Sequence, residues 1–233
     1  MDRRYFLKGL GAGTVDLSLP PSASSAKTCK VIGIGGTGCN FVHAASQSGA
    51  ILASSQWVPE FICIDLDLAV LNYIDADNAA MPGGASIKTL SLAAFGAAGR
   101  VNRGRAAALR KRDTLRALLT DTDMVFLVAG LGGGTGSGVT PIMAKLARES
   151  GALTVAAVVT PLEFEGETRN KTADTAIRYL KREADVVVQF SNQELMAVTG
   201  DGIDQVDFFA LQNRRIAACL RGLMKGANDA TKS

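Results

Sequence analysis

The segment Gly132-Gly133-Gly134-Thr135-Gly136-Ser137-Gly138 constrains this chain more than any other. Five glycines in seven residues follow the apolar run 124–129, after Gly130 and Leu131. Each glycine inside a helix costs about 1 kcal/mol relative to alanine, so helix propensity does not explain such density. A glycine loop leading into a helix exposes consecutive N–H donors beside the positive end of the helix dipole, which is a setting for an anion. Thr135 and Ser137 add hydroxyl donors. The plain alternative, a loop kept small for packing, needs fewer glycines.

A second glycine loop stands earlier, where the apolar run 30–34 ends in Gly33-Ile34-Gly35-Gly36-Thr37-Gly38-Cys39-Asn40. Gly33, Gly35 and Gly38 satisfy G-x-G-x-x-G, so a dinucleotide-binding domain for NAD enters as one reading, with Asp65 or Asp67 placed for the ribose. These glycines also suit tight helix–strand packing. Two glycine loops, without the Gly-Lys-Ser/Thr of a P-loop, describe a mononucleotide gripped from two sides. The NAD reading leaves the second loop unexplained.

The rest of the chain supplies the scaffold. Continuous apolar runs at 30–34, 61–65, 124–129, 153–159 and 186–190 read as strands buried on both faces. Helical patterns lie at about 39–53, 104–120, 139–150, 167–182 and 204–224, with Pro141 in the first turn of its helix. In the last helix Ile216, Leu220, Leu223 and Met224 share a face. Strands alternating with helices predict an α/β fold, a doubly wound, mostly parallel sheet with helices on both faces. One domain is expected over 28–225, preceded by a segment 1–27 set apart from the fold and followed by a polar tail 226–233.

Composition narrows the function classes. Hydrophobic residues at 47%, charged residues at 20% and six prolines against 25 glycines exclude a disordered chain, a collagen and a coiled coil. No apolar run approaches a bilayer span. A net charge of +3 does not call for nucleic acid. Cys29, Cys39, Cys63 and Cys219 form no CxxC, and buried reduced thiols are expected. The single histidine, His43, reads as structural, and no metal-ligating or catalytic set emerges. Arg3-Arg4 before Phe6-Leu7-Lys8 resembles a twin-arginine export signal, although Asp16 interrupts the following apolar stretch; a disordered basic arm competes with it.

The segment 132–138, GGGTGSG, resembles the signature of the tubulin/FtsZ GTPase family, and the similarity runs from about residue 30 to 224. "KVIGIGGTGCNFV" is similar to the family's first phosphate loop, with Asn40 at its asparagine. "FICIDLDLAVL" is similar to the second-strand loop, of which Asp67 matches. "DMVFLVAGLGGGTGSG" and "GALTVAAVV" match closely. "FEGETR" puts Glu165 and Arg169 where the family contacts ribose, and "SNQEL" puts Asn192 at a nucleotide-facing asparagine. "GIDQVDFFALQNRRI" resembles the central helix, where Phe209 packs on guanine and Asn213 reads its edge. The resemblance therefore implies GTP or GDP, with Mg²⁺ on the phosphates. The implied contacts are Gly33, Gly35, Gly36, Thr37, Gly38, Asn40, Asp67, Gly132, Gly133, Gly134, Thr135, Gly136, Ser137, Gly138, Glu165, Arg169, Asn192, Phe209 and Asn213. Taken singly, Glu165 and Arg169 also read as an i,i+4 ion pair, Phe209 as core and Asn213 as a solvated helix residue. Their joint order with the two loops favours the family reading.

Two departures modify what the resemblance implies. The family's Asn-Pro-Glu third loop is replaced by Ala98-Gly99-Arg100-Val101-Asn102-Arg103-Gly104, and seven basic residues face one acid, Asp113, between Arg100 and Arg116. A solvated basic helix face is the expected reading; the sharper one brings Arg100 or Arg103 to the terminal phosphate. The family's catalytic Asn-x-Asp-x-x-Asp loop follows the central helix, and this sequence has none there. Asp204-Gln205-Val206-Asp207 precedes Phe209 and reads as a helix start, with Asp204 as N-cap. The expectation is a cytoplasmic guanine-nucleotide binder of cell division, filament-forming or filament-modulating. Its hydrolysis is expected to be impaired or dependent on a partner. Its partners are expected to be family members or its own copies in head-to-tail association. The apolar end of the central helix, around Ile216 and Met224, is expected to lie bare.

Overall fold

The computed structural model describes residues 5–8, 27–49, 57–80, 85–93, 96–200 and 202–229. Seven strands form a single sheet: β1 (Tyr5–Lys8), β2 (Lys27–Ile34), β3 (Trp57–Asp65), β4 (Ile87–Ser91), β5 (Met124–Gly130), β6 (Leu153–Thr160) and β7 (Val186–Ser191). Their order is β1-β7-β6-β5-β2-β3-β4 and every pairing is parallel. The central strand β5 is buried on both faces from Met124 to Ala129 without interruption, so its side chains there are apolar at every position.

Helices cover both faces. On one lie α1 (Gly35–Ser48), α2 (Leu68–Ala80) and α8 (Gln205–Asp229), whose apolar side chains merge with Cys29, Val31, Phe61, Phe126 and Val155. On the other lie α3 (Val101–Arg110), α4 (Arg112–Ala117), α5 (Gly134–Glu149) and α6 (Glu167–Glu183), which close over Ile32, Ile64, Val125, Leu127 and Val158. Each fully buried aliphatic side chain contributes about 1.5–3 kcal/mol. A short helix α7 (Asn192–Thr199) follows β7, capped by the Ser191 hydroxyl, which accepts from the Glu194 N–H at 3.1 Å. Lys30, buried in β2, donates to the carbonyls of Leu118 (2.8 Å) and Thr120 (3.0 Å), placing its charge where α4 ends.

The five expected strands and the doubly wound sheet are present. Several boundaries differ for physical reasons. α1 and α5 begin at Gly35 and Gly134, four to five residues before the expected starts, because the glycine loops themselves enter the helices. Pro141 therefore lies well inside α5 and not in its first turn. The helix expected over 104–120 is two, α3 and α4, which meet at Lys111. Segment 1–27 is not wholly apart from the fold: Tyr5–Lys8 pairs with β7 and Lys27 opens β2. Arg3, Arg4 and Asp16, which carried the export reading and its exception, lie outside the described residues.

The far end of α8 is not bare. Ile216, Ala217, Leu220, Met224 and Ala227 are buried in the core, and the Trp57 indole N–H donates to the Met224 carbonyl at 3.2 Å. Asp204 caps this helix as expected, its carboxylate accepting from the Asp207 N–H at 2.9 Å. All four cysteines are free and buried. Burial pushes the Cys219 thiol up to about 11 and the Cys29 thiol further, so neither ionises near neutrality. His43 is held by Asp77 (2.7 Å) and sits edge-on to Tyr73, a structural role.

Candidate functional site

The chain runs β2-β3-β4 toward one edge of the sheet and then crosses to β5 on the other side of β2. The crevice between the carboxyl ends of β2 and β5 is the point where strand order reverses, and open α/β sheets bind ligands there. Both glycine loops sit at this point, each joining its strand directly to a helix.

Neither α1 nor α5 has a side-chain N-cap. Their first-turn N–H groups are therefore available to an acceptor from outside the chain, and both helix dipoles present positive ends. Between them lies a cavity of about 340 Å³, lined by Gly35, Gly36, Thr37, Gly133, Gly134, Thr135 and Gly136 from the loops. Glu165, Arg169, Asn192 and Phe209 complete its walls. A second cavity of about 190 Å³ adjoins it, sharing Gly36, Thr37, Asn192 and Phe209 and adding Asn40 and Asn213. Thirteen of the nineteen expected contacts line one cavity or both.

The other six are placed differently. A Cβ at Gly33 would strike the Gly38 carbonyl, and one at Gly38 would strike the Val128 carbonyl, so these glycines let α1 cross the sheet closely. Gly138 lies equally close to the Val101 carbonyl of α3. Gly132, at φ +95°, makes the turn, and its N–H donates to the Ser137 hydroxyl at 2.9 Å. Ser137, 3% exposed, thus braces the loop from within. Asp67 is exposed and lines neither cavity; its carboxylate accepts from the Ala69 N–H at 3.0 Å, at the start of α2. Gly36 and Gly133, by contrast, have nothing within 4 Å of where a Cβ would stand.

Polar side chains around the second cavity are pre-arranged in pairs. The Asn213 amide donates to Asn40 at 3.0 Å, and the Gln212 amide to Asn192 at 3.0 Å. Phe209, 41% exposed, meets Phe208 edge-on at 5.9 Å; Phe208 is the core residue of the two, at 6%. Glu165 accepts from the Leu162 N–H at 2.8 Å and from Arg169 at 3.2 Å, so the i,i+4 ion pair forms at the cavity wall.

Asp65 has a different part from the ribose contact weighed for it. It is 3% exposed and accepts from the N–H groups of Leu66 (2.7 Å) and Asp67 (3.2 Å) and from the Thr135 hydroxyl (3.0 Å). It ties the second glycine loop to the end of β3. Burial pushes its carboxyl above the ordinary value, against the lowering effect of those three donors. Arg100, Arg103 and the other basic residues up to Arg116 are exposed, as expected of a solvated face.

Residues that the sequence did not mark as contacts also line the site: Leu131, Thr160 and Pro161 in the larger cavity, Gln212 and Ile216 in the smaller, and Val159 in both. Thr160 and Pro161 carried a usable signal, since they end a strand at the carboxyl edge of the sheet. Among the described residues no three His, Cys, Asp or Glu side chains gather as a metal site, and no helix is long and apolar enough to cross a membrane.

Comparison with known proteins agrees with this fold. A model of the Tubulin/FtsZ family GTPase domain matches residues 28–200. The chain is 38% identical over 194 residues to the cell division protein FtsZ of Pseudomonas putida, covering 83% of this chain and 46% of that protein. It is 37% identical, with the same coverage, to FtsZ of Pseudomonas aeruginosa. Among solved structures, an FtsZ dimer of M. jannaschii superposes with a TM-score of 0.69 at 28% identity, over 86% of this chain and 55% of that one. CetZ from Methanosaeta thermophila shares the fold, with a TM-score of 0.69 at 22% identity. The chain spans about half the length of these relatives. These matches do not favour an NAD-dependent oxidoreductase. By the family match over most of its length, and by its identity to the FtsZ proteins, this chain belongs to the tubulin/FtsZ family of GTPase domains.

Proposed function

We propose that this domain binds GTP and GDP in the two adjoining cavities. The observation that carries the reading is the pair of uncapped helix N-termini facing one cavity, with the open faces of Gly36 and Gly133 between them. The phosphates lie against the N–H groups of 35–37 and 133–136. Glu165 and Arg169 hold the ribose, and Phe209 stacks on the base. Asn192, Asn213 and Asn40 offer amides to a guanine edge, which presents both donors and acceptors. Mg²⁺ enters with the phosphates and is held chiefly by them and by water.

The 233 residues contain no Asn-x-Asp-x-x-Asp segment. Phosphoryl transfer to water needs a group that positions the attacking water, so we assign hydrolysis to a surface outside these residues. Turnover by them alone is impaired or dependent on a partner. Head-to-tail association with an FtsZ protein or a further copy would bring such a surface to the exposed crevice. The domain then forms or modulates division filaments in the cytoplasm, where GTP is held.

Equilibrium binding of GTP, GDP and ATP to the chain and to Asn213→Ala tests this. Guanine nucleotides should bind more tightly than ATP, and Asn213→Ala should lose that preference while keeping its fold. Equal affinity for ATP and GTP in the unaltered chain would refute the base assignment. Steady GTP turnover by the purified chain would refute the assignment of hydrolysis.

A further inference from the structure

The nucleotide crevice is not the most spacious concavity on this domain: a second one exceeds both of its cavities. It is a groove of about 890 Å³ on the outer side of α5, between α3 and α6. Its floor is apolar: Leu109, Pro141, Ile142, Leu146 and Ala176. Leu109 is 49% exposed, a large aliphatic side chain left facing water. The stretch of α6 along the groove runs from Thr168 to Glu183, a rise of roughly 22 Å. That length matches about four turns of a second helix.

Cations stand along the groove: Arg105, Arg112, Lys145, Lys171 and Arg182, against the single lining carboxylate Glu183. Nearby carboxylates do not neutralise them. Glu149 is shared by Arg112 (3.2 Å), Arg116 (3.2 Å) and Lys145 (4.0 Å), and Glu183 is taken by Arg148 at 2.7 Å. Lys171 meets Glu167 at 2.6 Å on the open surface, where such a pair contributes little. Arg105 and Arg182 face the Tyr179 ring, at 5.9 and 4.7 Å from its centre. Among the described residues these two guanidinium groups have no carboxylate in ion-pair range. An apolar floor between cationic rims is the complement of a helix with an apolar stripe and acidic flanks.

We propose that this groove docks an acidic amphipathic helix of a partner protein, independently of the nucleotide reading. Other occupants fit less well. Single-stranded RNA needs open aromatic faces for stacking, and Tyr179 already carries two guanidinium groups. An anionic lipid surface is flat and does not reach a recessed floor. The chain's own segment 9–26 brings one carboxylate, Asp16, and no other charge.

The test is fluorescence anisotropy of the whole chain with a labelled peptide of four Glu-Leu-Leu-Glu repeats. Saturable binding is expected, weakened by raising salt from about 0.15 M to about 1 M, which shortens the screening length from roughly 8 to 3 Å. The double variant Arg105→Glu/Arg182→Glu changes exposed side chains and should weaken binding by about tenfold or more. Leu109→Ser should weaken it severalfold, and polyglutamate of equal length should bind far less tightly. No saturable binding, binding indifferent to the charge reversal, or polyglutamate bound as well as the peptide would each overturn the proposal. So would tighter binding of RNA or of phosphatidylserine vesicles that displaces the peptide.

Discussion

The two glycine loops look alike in sequence and divide their glycines in the same unexpected way. In the first, Gly33 and Gly38 exist for the strand–helix crossing, Gly35 makes the turn at φ +73°, and Gly36 faces the cavity. In the second, Gly132 makes the turn and Gly133 faces the cavity. Gly134, Gly136 and Gly138 let backbone approach backbone; a Cβ at Gly134 would stand 2.8 Å from the Arg100 nitrogen. Where they differ is bracing. The second loop is held by two hydroxyls, Ser137 within it and Thr135 tied to Asp65, while the first has the weak thiol donor of Cys39, toward the carbonyls of Gly33 (3.7 Å) and Ile64 (3.8 Å). A dense glycine signature is thus mostly a packing requirement, and a small part of it is open to a ligand.

The widest separation should appear between Gly38 and Gly36. Gly38→Ala forces a methyl into the Val128 carbonyl and should cost more than about 3 kcal/mol, read from the urea midpoint. Gly36→Ala should leave stability unchanged or raise it by up to about 1 kcal/mol, since alanine favours the helix. Its methyl nonetheless stands in the cavity and should weaken guanine-nucleotide binding by about tenfold, or 1.4 kcal/mol. Equal stabilities for the two variants would break the division drawn here.

The brace comes next. Asp65→Ala strands the Thr135 hydroxyl and two N–H groups and should cost about 1–3 kcal/mol. Asp65→Asn keeps the acceptor oxygen and removes the charge. The folded carboxyl titrates above its ordinary value of 3.8. Its contribution is therefore fully present below that value and is lost as pH rises through the folded one. Unfolding midpoints across acid to neutral pH should show this loss in the unaltered chain and a flatter profile in Asp65→Asn; parallel profiles would contradict it.

The smallest effect concerns the third loop. Arg100 and Arg103 are exposed and line neither cavity, so their joint replacement by alanine should change GTP and GDP affinity by less than about threefold. Selective loss of GTP would instead put a guanidinium on the terminal phosphate.

Much of this was legible in sequence because parallel strands buried on both faces write themselves as continuous apolar runs. The missed elements lack such a mark. In α2 the buried hydrophobic positions among the described residues are Leu71 and Ile74, too few to show a helical period among Ala, Asp and Asn. β4 has Ile87 as its one buried residue, and β1 is defined by its distant pairing with β7. In the site, the glycines, Glu165, Asn192 and Phe209 could be named from motifs. Which glycines touch only protein could not, because the Gly38–Val128 contact joins residues ninety positions apart. Helix starts were misplaced for a related reason: glycine has poor helix propensity, yet tertiary packing admits glycines to the first turns of α1 and α5.

The most direct measurement is thermal unfolding of the chain with GTP, GDP, ATP or NAD, each with magnesium. A ligand bound by the folded state alone, at about 100 times its Kd, stabilises by about 2.7 kcal/mol, a shift of roughly 5–10 °C for a chain of this size. That shift is expected with GTP and GDP, and little with ATP or NAD. A shift with NAD alone, or none with guanine nucleotides from a folded sample, would contradict that expectation.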